Sequence, residues 1–300
     1  MNRASHKQIG LRLGMVTLAI VALGFVGLFA FGPDPGAPGR PDSAQATQAG
    51  LFETLTDMPT RRAVAALQTT SPGTYAQLHA VARNAIEDGA DAQALSEIVL
   101  EALFAQFQEQ ARHVKAANAT RFQAIVSDLA SGLAQLKTEN SAWCEGETIA
   151  AFLSQNEADL VPTLLAEFPY GSAQYEWAMA WMTTVLTTAN QGHVRPMRHR
   201  RPDFRDEAIL QQEGLALGSE QWALGLQIAA FANSEGTSYA AMRDVIAGMD
   251  VCDLGIAIDT VSGRLPGDVR ARIWADLMPE LMVGTPPFVM YRVTDYFFIG

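Results

Sequence analysis

Leu13 to Phe31 reads LGMVTLAIVALGFVGLFAF, a run without a charge in which Thr17 is the only hydroxyl. As an α-helix rising about 1.5 Å per residue it is roughly 28 Å long, close to the hydrocarbon thickness of a bilayer. A chain with this segment is expected to span a membrane once, and everything after Phe31 then folds on one side of it. Arg3, Lys7 and Arg12 precede the run with no acid among them. Basic residues ahead of a span favour a cytoplasmic N-terminus, which sends the rest of the chain across. Eighteen arginines against three lysines, amid abundant alanine, resemble the usage of a GC-rich bacterial genome. The membrane therefore reads as a bacterial inner membrane and the far side as a periplasm. Retention as a signal-anchor is favoured over cleavage because signal peptides have shorter apolar regions of about 7–15 residues. The nearest small-x-small site, Ala30-Phe31-Gly32, is followed by Pro33, and no cysteine precedes Cys144 to carry a lipid. Secretion to the periplasm after signal cleavage is the alternative.

Residues 32–50, GPDPGAPGRPDSAQATQAG, hold four prolines and no apolar period. They read as a partly polyproline-II linker, extending up to about 3.1 Å per residue and lifting the following domain off the bilayer.

From Leu51 to Gly300 the apolar spacing is helical. Pro59, Val64 and Leu67 belong to a short segment, and Ser71-Pro72 reads as a helix entrance. The helix it opens, with Tyr75, Leu78, Val81, Ala82 and Ile86, ends at Gly89. Asp91 caps a helix through Phe107, and Asn118 to Thr120 breaks it from a second one carrying Phe122, Ile125, Val126, Leu129, Leu133 and Leu136. These two are expected to form a helical hairpin or one bent helix. Trp143 to Leu153 is ambiguous, and Ser154 with Glu157 forms a capping box into a helix that Pro162 would kink. After a break at Pro169 and Gly171, a strongly apolar helix holds Tyr175, Trp177, Trp181, Met182 and Leu186 and stops at Gly192. Later helices are expected at Phe204–Leu217, Ser219–Asn233, Ser238 to near Ile258, and Pro266–Val283, with ends at Gly218, Gly236 and Gly263. The fold class is all-α: about nine or ten helices in an antiparallel bundle or array, with a soft boundary near residue 140. The tail from Phe288 to Gly300 is aromatic and is expected to pack on its own domain rather than serve as a docking strand.

Cys144 and Cys252 are the only cysteines. In an oxidising compartment two thiols in one domain are expected to pair.

The net charge of −11 includes +3 from the first twelve residues, which leaves −14 for the remainder. So acidic a body argues against general binding of nucleic acid. G-x-x-x-x-G-K and G-x-G-x-x-G are absent, so no nucleotide cofactor is expected. H-E-x-x-H, C-x-x-C and Glu-x-x-His pairs are missing too, and no metal site is expected. G-x-S-x-G does not occur. Two features remain. His193-Val-Arg-Pro-Met-Arg-His-Arg-Arg-Pro-Asp-Phe-Arg205 concentrates basic residues in an acidic chain, and Pro196 and Pro202 keep it from being helix. Guanidinium groups match carboxylate and phosphate, so Arg195, Arg198, His199, Arg200, Arg201 and Arg205 are candidate ligands for an anion or acidic partner. Pairing with the chain's own acids, or contact with anionic headgroups, are the competing readings. The second feature is Trp143-Cys-Glu-Gly-Glu147: Glu145 and Glu147 with a sugar-stacking tryptophan could serve a glycan-cleaving enzyme. The favoured expectation is a single-span inner-membrane protein whose periplasmic all-α domain binds another envelope component as a scaffold or accessory factor. A cell-wall-directed hydrolase is the alternative.

Overall fold

A computed structural model of the chain describes residues 51–55, 58–152, 166–221 and 247–283. The expected span 13–31, the linker 32–50, the Ser154–Glu157 capping box, most of the segment expected as helix from Ser219 to Asn233, and the aromatic tail lie outside them. Among the described residues there are nine α-helices and no strand, and none of those helices is long and apolar enough to cross a membrane. They are α1 (Met58–Thr70), α2 (Pro72–Glu87), α3 (Ala92–Ala111), α4 (Ala119–Thr138), α5 (Gly146–Phe152), α6 (Ala173–Val194), α7 (Phe204–Glu220), α8 (Val251–Arg264) and α9 (Gly267–Val283). Short 3-10 turns occupy Leu51–Thr54, Val114–Ala116 and Ala142–Cys144.

Side chains capable of accepting backbone N–H groups start most of these helices. Asp91 accepts from Ala94 N at 2.9 Å, and Asn118 from Thr120 N at 3.1 Å. Asp203 opens α7 with a full capping box in which Asp206 reaches back to the Asp203 N–H. Ser71 departs from the expected pattern: its hydroxyl caps nothing, and Pro72 at the first helical position opens α2 by itself.

The core is organised on α4 and α6. Helix α6 packs against α1, α3, α4 and the 114–116 turn, and α4 packs against α6, α8 and α9. Burial of Tyr175, Met179, Trp181, Met182, Val185 and Leu186 around α6 explains why its sequence is apolar on more than one face. The expected hairpin between α3 and α4 is corrected here. Neither a hairpin nor one bent helix forms: both helices pack on α6 and scarcely on each other. Buried side chains from before and after residue 140 form one cluster.

Indole groups lock α6 to α4. Trp181 Nε1 donates to the Ile125 carbonyl at 3.0 Å and Trp177 Nε1 to that of Asp128 at 2.8 Å. Gly132 makes the second contact possible, because a Cβ there would lie 1.8 Å from the Trp177 ring. A polar cluster ties α4 to α8 and α9. Gln123 and Ser127 donate to Asp259, Ser262 donates to Gln123, and Trp274 Nε1 donates to Ser262. Its half-buried polar atoms satisfy one another, which is the condition for such groups to sit between helices without a net penalty.

The expected ends at Gly192, Gly218 and Gly263 fall within two residues of the observed ones, at Val194, Glu220 and Arg264, whereas Ser219, expected to open a helix, lies in the last turn of α7. The helix expected from Ser238 is described from Val251, where Asp250 accepts from Asp253 N at 2.8 Å and sets a new N-terminus. The ambiguous stretch after Trp143 resolves into the 3-10 turn at Ala142–Cys144 and the short α5.

Candidate functional site

The residues from His193 to Arg205 join α6 to α7, and they are fixed at three places. Where they leave α6, Gly192 lies against the 114–116 turn: a Cβ at Gly192 would sit 2.1 Å from the His113 carbonyl oxygen. This explains a glycine within the helix, since only a residue without a side chain permits that approach. In the middle, Met197 N–H donates to the Ala116 carbonyl at 2.7 Å, and His199 Nε2 lies 2.7 Å from the Ala117 carbonyl. The His199 ring rests on Phe122, with centroids 5.3 Å apart. Where the loop enters α7, buried Asp206 accepts two hydrogen bonds from Arg272 of α9, each 2.7 Å long. Asp268 takes a third from the same guanidinium at 3.0 Å. These bonds, first of all, hold the Asp206 carboxyl below the ordinary carboxylate range and raise the Arg272 guanidinium.

A loop secured this way presents its arginines from a fixed backbone. Arg195, Arg198, Arg200, Arg201 and Arg205 are all exposed, and His199 is half-buried beneath them. Among the described residues Arg200 pairs with Asp203, Arg205 lies over the Phe204 ring at 5.7 Å, and Arg195, Arg198 and Arg201 make no ion pair. Among the described residues, internal neutralisation therefore involves one of the five guanidinium groups. Arg112 and Lys115, both exposed, flank the turn on which the loop is seated and extend the positive surface. Sequence spacing does not reveal their membership, because the contact joins segments some eighty residues apart.

Three large apolar side chains are exposed in the same stretch: Val194 at 63 %, Met197 at 48 % and Phe204 at 74 %. Beside them the rings of His113 and His193 lie 4.7 Å apart. Burial, then the charges of His193, Arg112 and Lys115, push the His113 imidazole below its ordinary value against a weaker opposing pull from Glu109.

The second candidate segment is arranged differently. Cys144 and Cys252 have their sulfurs 2.07 Å apart, at disulfide distance, and link the Ala142–Cys144 turn to the first turn of α8. Gly146 N–H donates to the Met249 carbonyl at 2.8 Å alongside a bridge between Glu145 and Asp250. Lys137 reaches Asp250 at 3.5 Å and also contacts Asp253. Glu145 and Glu147 are exposed and, with Asp250 and Met249, line a shallow cavity of about 310 Å³. The sugar-stacking role expected of Trp143 is corrected: the ring is 4 % exposed and packs on Phe152 and Phe168, each with centroids 5.2 Å away. It is a core residue, and the carboxylates beside it lack the aromatic platform a glycan site would use.

A further cavity of about 380 Å³ lies between α1 and α6, lined by Pro59, Ala63, Ala66, Met179, Ala180 and Thr183, with Arg62 and Glu176 3.9 Å apart at its lip. Small side chains on both helices create it, and the groups lining it offer no chemistry beyond apolar contact. Among the described residues no three His, Cys, Asp or Glu side chains come together as a metal site. No known family model matches the chain, and neither a curated protein nor a solved structure matches it.

Proposed function

We propose that this chain is a single-span protein of the bacterial inner membrane whose periplasmic helical domain binds an acidic component of the cell envelope through the 193–205 loop. The N-terminal apolar run supplies the tether, and the basic residues ahead of it direct the domain outward. The observation that carries the reading is the state of the loop. Arg195, Arg198 and Arg201 are exposed and make no ion pair among the described residues, while the backbone that carries them is hydrogen-bonded to a neighbouring turn. A secured backbone removes the cost of ordering the main chain on binding, leaving only that of the side chains, which favours a recognition surface over a solvated linker. The domain then acts as a scaffold or accessory factor and performs no bond chemistry of its own.

Crosslinking in intact membranes tests the proposal. A photoreactive residue in place of Arg201 is expected to capture an acidic envelope component, and the same residue in place of Gln77 on the exposed side of α2 is not. Equal yields from the two positions, or no product from either, would refute it.

A further inference from the structure

The loop holds more than charge. Val194, Met197 and Phe204 account for three of the six large apolar residues exposed among the described residues, and they alternate with the arginines over eleven positions. An acidic peptide or a free phosphate would engage the guanidinium groups and leave these side chains in water. A bilayer surface engages both, because apolar groups enter the boundary between headgroups and acyl chains while the basic groups meet the phosphates. We infer that the 193–205 loop docks on an anionic phospholipid bilayer, with Val194, Met197 and Phe204 entering the interface and Arg195, Arg198, Arg201 and Arg205 binding the headgroups. This rests on the reading of the loop as a binding surface and names its ligand.

Charge distribution supports the choice. Residues 193–205 carry five arginines and one aspartate, a net +4 inside the −14 that follows the first twelve residues. Charges farther from the membrane than the Debye length of about 8 Å are screened. Acids beyond that distance oppose docking only weakly, so the loop's own positive charge decides the contact. Docking would also bring Arg112 and Lys115 toward the headgroups, since their turn supports the loop.

The test uses the full chain in lipid nanodiscs, with an environment-sensitive fluorophore on a Met197→Cys substitution. Discs of phosphatidylcholine containing about 30 % phosphatidylglycerol, enough for a negative surface potential, are compared with phosphatidylcholine alone. Docking predicts a blue-shifted probe, quenched by nitroxide lipids labelled near the headgroup, in the anionic discs and not in the neutral ones. Replacing Arg195, Arg198 and Arg201 with Ala is expected to lower the docked-to-free ratio about a hundredfold, from the usual contribution of a basic residue at such a surface. A probe that stays unshifted in anionic discs overturns the inference. If it does so while the Arg201 crosslinker captures an acidic protein, the binding role stands with a protein as ligand. Loss of both signals overturns the two together.

Discussion

Removing Arg272 should destabilise the domain in a way that changes sign of slope with pH. Asp206 is 3 % exposed and receives both of its strong hydrogen bonds from Arg272, whose side chain is 19 % exposed. Arg272→Ala leaves a buried carboxylate with only the Asp203 N–H at 3.1 Å. Deleting one member of a buried pair costs about 3–5 kcal/mol, and the surviving hydrogen bond places this case near the lower end, about 3 kcal/mol. Asp206→Ala should cost less, about 2 kcal/mol, because Arg272 keeps Asp268 and reaches solvent. Combining Asp206→Asn with Arg272→Met removes the stranded charge and should be more stable than Arg272→Ala alone by at least about 1 kcal/mol. Linkage supplies a second readout. In the wild type the Asp206 carboxyl is depressed, so its contribution is fully present above the unfolded value and is lost as pH falls through the lower folded one. In Arg272→Ala burial raises the same carboxyl, so the penalty shrinks as pH falls from about 7 toward about 4. Urea unfolding in mild detergent, followed by tryptophan fluorescence across that range, measures both effects. An Arg272→Ala variant within about 0.5 kcal/mol of wild type, the noise of a surface change, or a penalty independent of pH, would refute the reasoning.

Gly192→Ala should destabilise by about 1–3 kcal/mol, the usual range for overpacking, since the new Cβ meets a backbone oxygen that cannot swing aside. Limited proteolysis should then cut first within residues 193–205, and cleavage unchanged in site and rate would contradict the three-point attachment. Reduction of the Cys144–Cys252 bond opens a loop with a sequence separation of 108. The chain-entropy relation gives about 4.8 kcal/mol for that length as an upper figure, and a urea midpoint unmoved by reductant would show that the bond contributes nothing. Both His79 and His113 have imidazoles pushed below the ordinary 6.5, in each case first by burial. Their contribution is therefore complete above that value and is lost as pH falls below it, when the unfolded chain takes up protons the folded one resists. Glu101, raised by desolvation and by Glu97, acts in the opposite sense. The comparison is accordingly with the His79→Gln/His113→Gln variant, whose stability should fall less between about pH 7.5 and about pH 5.5, the range that brackets imidazole titration. Equal falls would contradict it.

What the sequence makes legible here is local. The helical spacing of Phe122, Ile125, Val126, Leu133 and Leu136 corresponds to the buried face of α4, and Asp91, Asn118 and Asp203 mark true helix entrances. The pairing of Cys144 with Cys252, expected from two cysteines in an exported chain, agrees with their sulfur separation. Failures occur where tertiary contact overrides local preference. Gly192 marks the end of α6 to within two residues, yet composition does not show why it is glycine, which is the close approach of the 114–116 turn. The α3–α4 hairpin follows from two adjacent amphipathic faces, and no periodicity announces that both pack instead on α6, which follows them in the chain. At the basic loop the arginines are evident from composition. Their attachment through Met197 and His199 to Ala116 and Ala117 is not, because backbone carbonyls leave no trace in a sequence. Trp143 shows the same limit in reverse: an aromatic beside two glutamates suggests a glycan platform, and only its packing on Phe168 makes it core.

The account depends on residues 13–31 delivering the domain to the far side of the inner membrane. Alkaline phosphatase, which is active only where its disulfides form, can be fused after Gly300 and assayed in intact cells against a fluorescent protein that matures only in the cytoplasm. Active phosphatase with a dark fluorescent fusion, and cysteines that resist alkylation until reduced, are the predicted results. A bright fluorescent fusion with inactive phosphatase would contradict the topology.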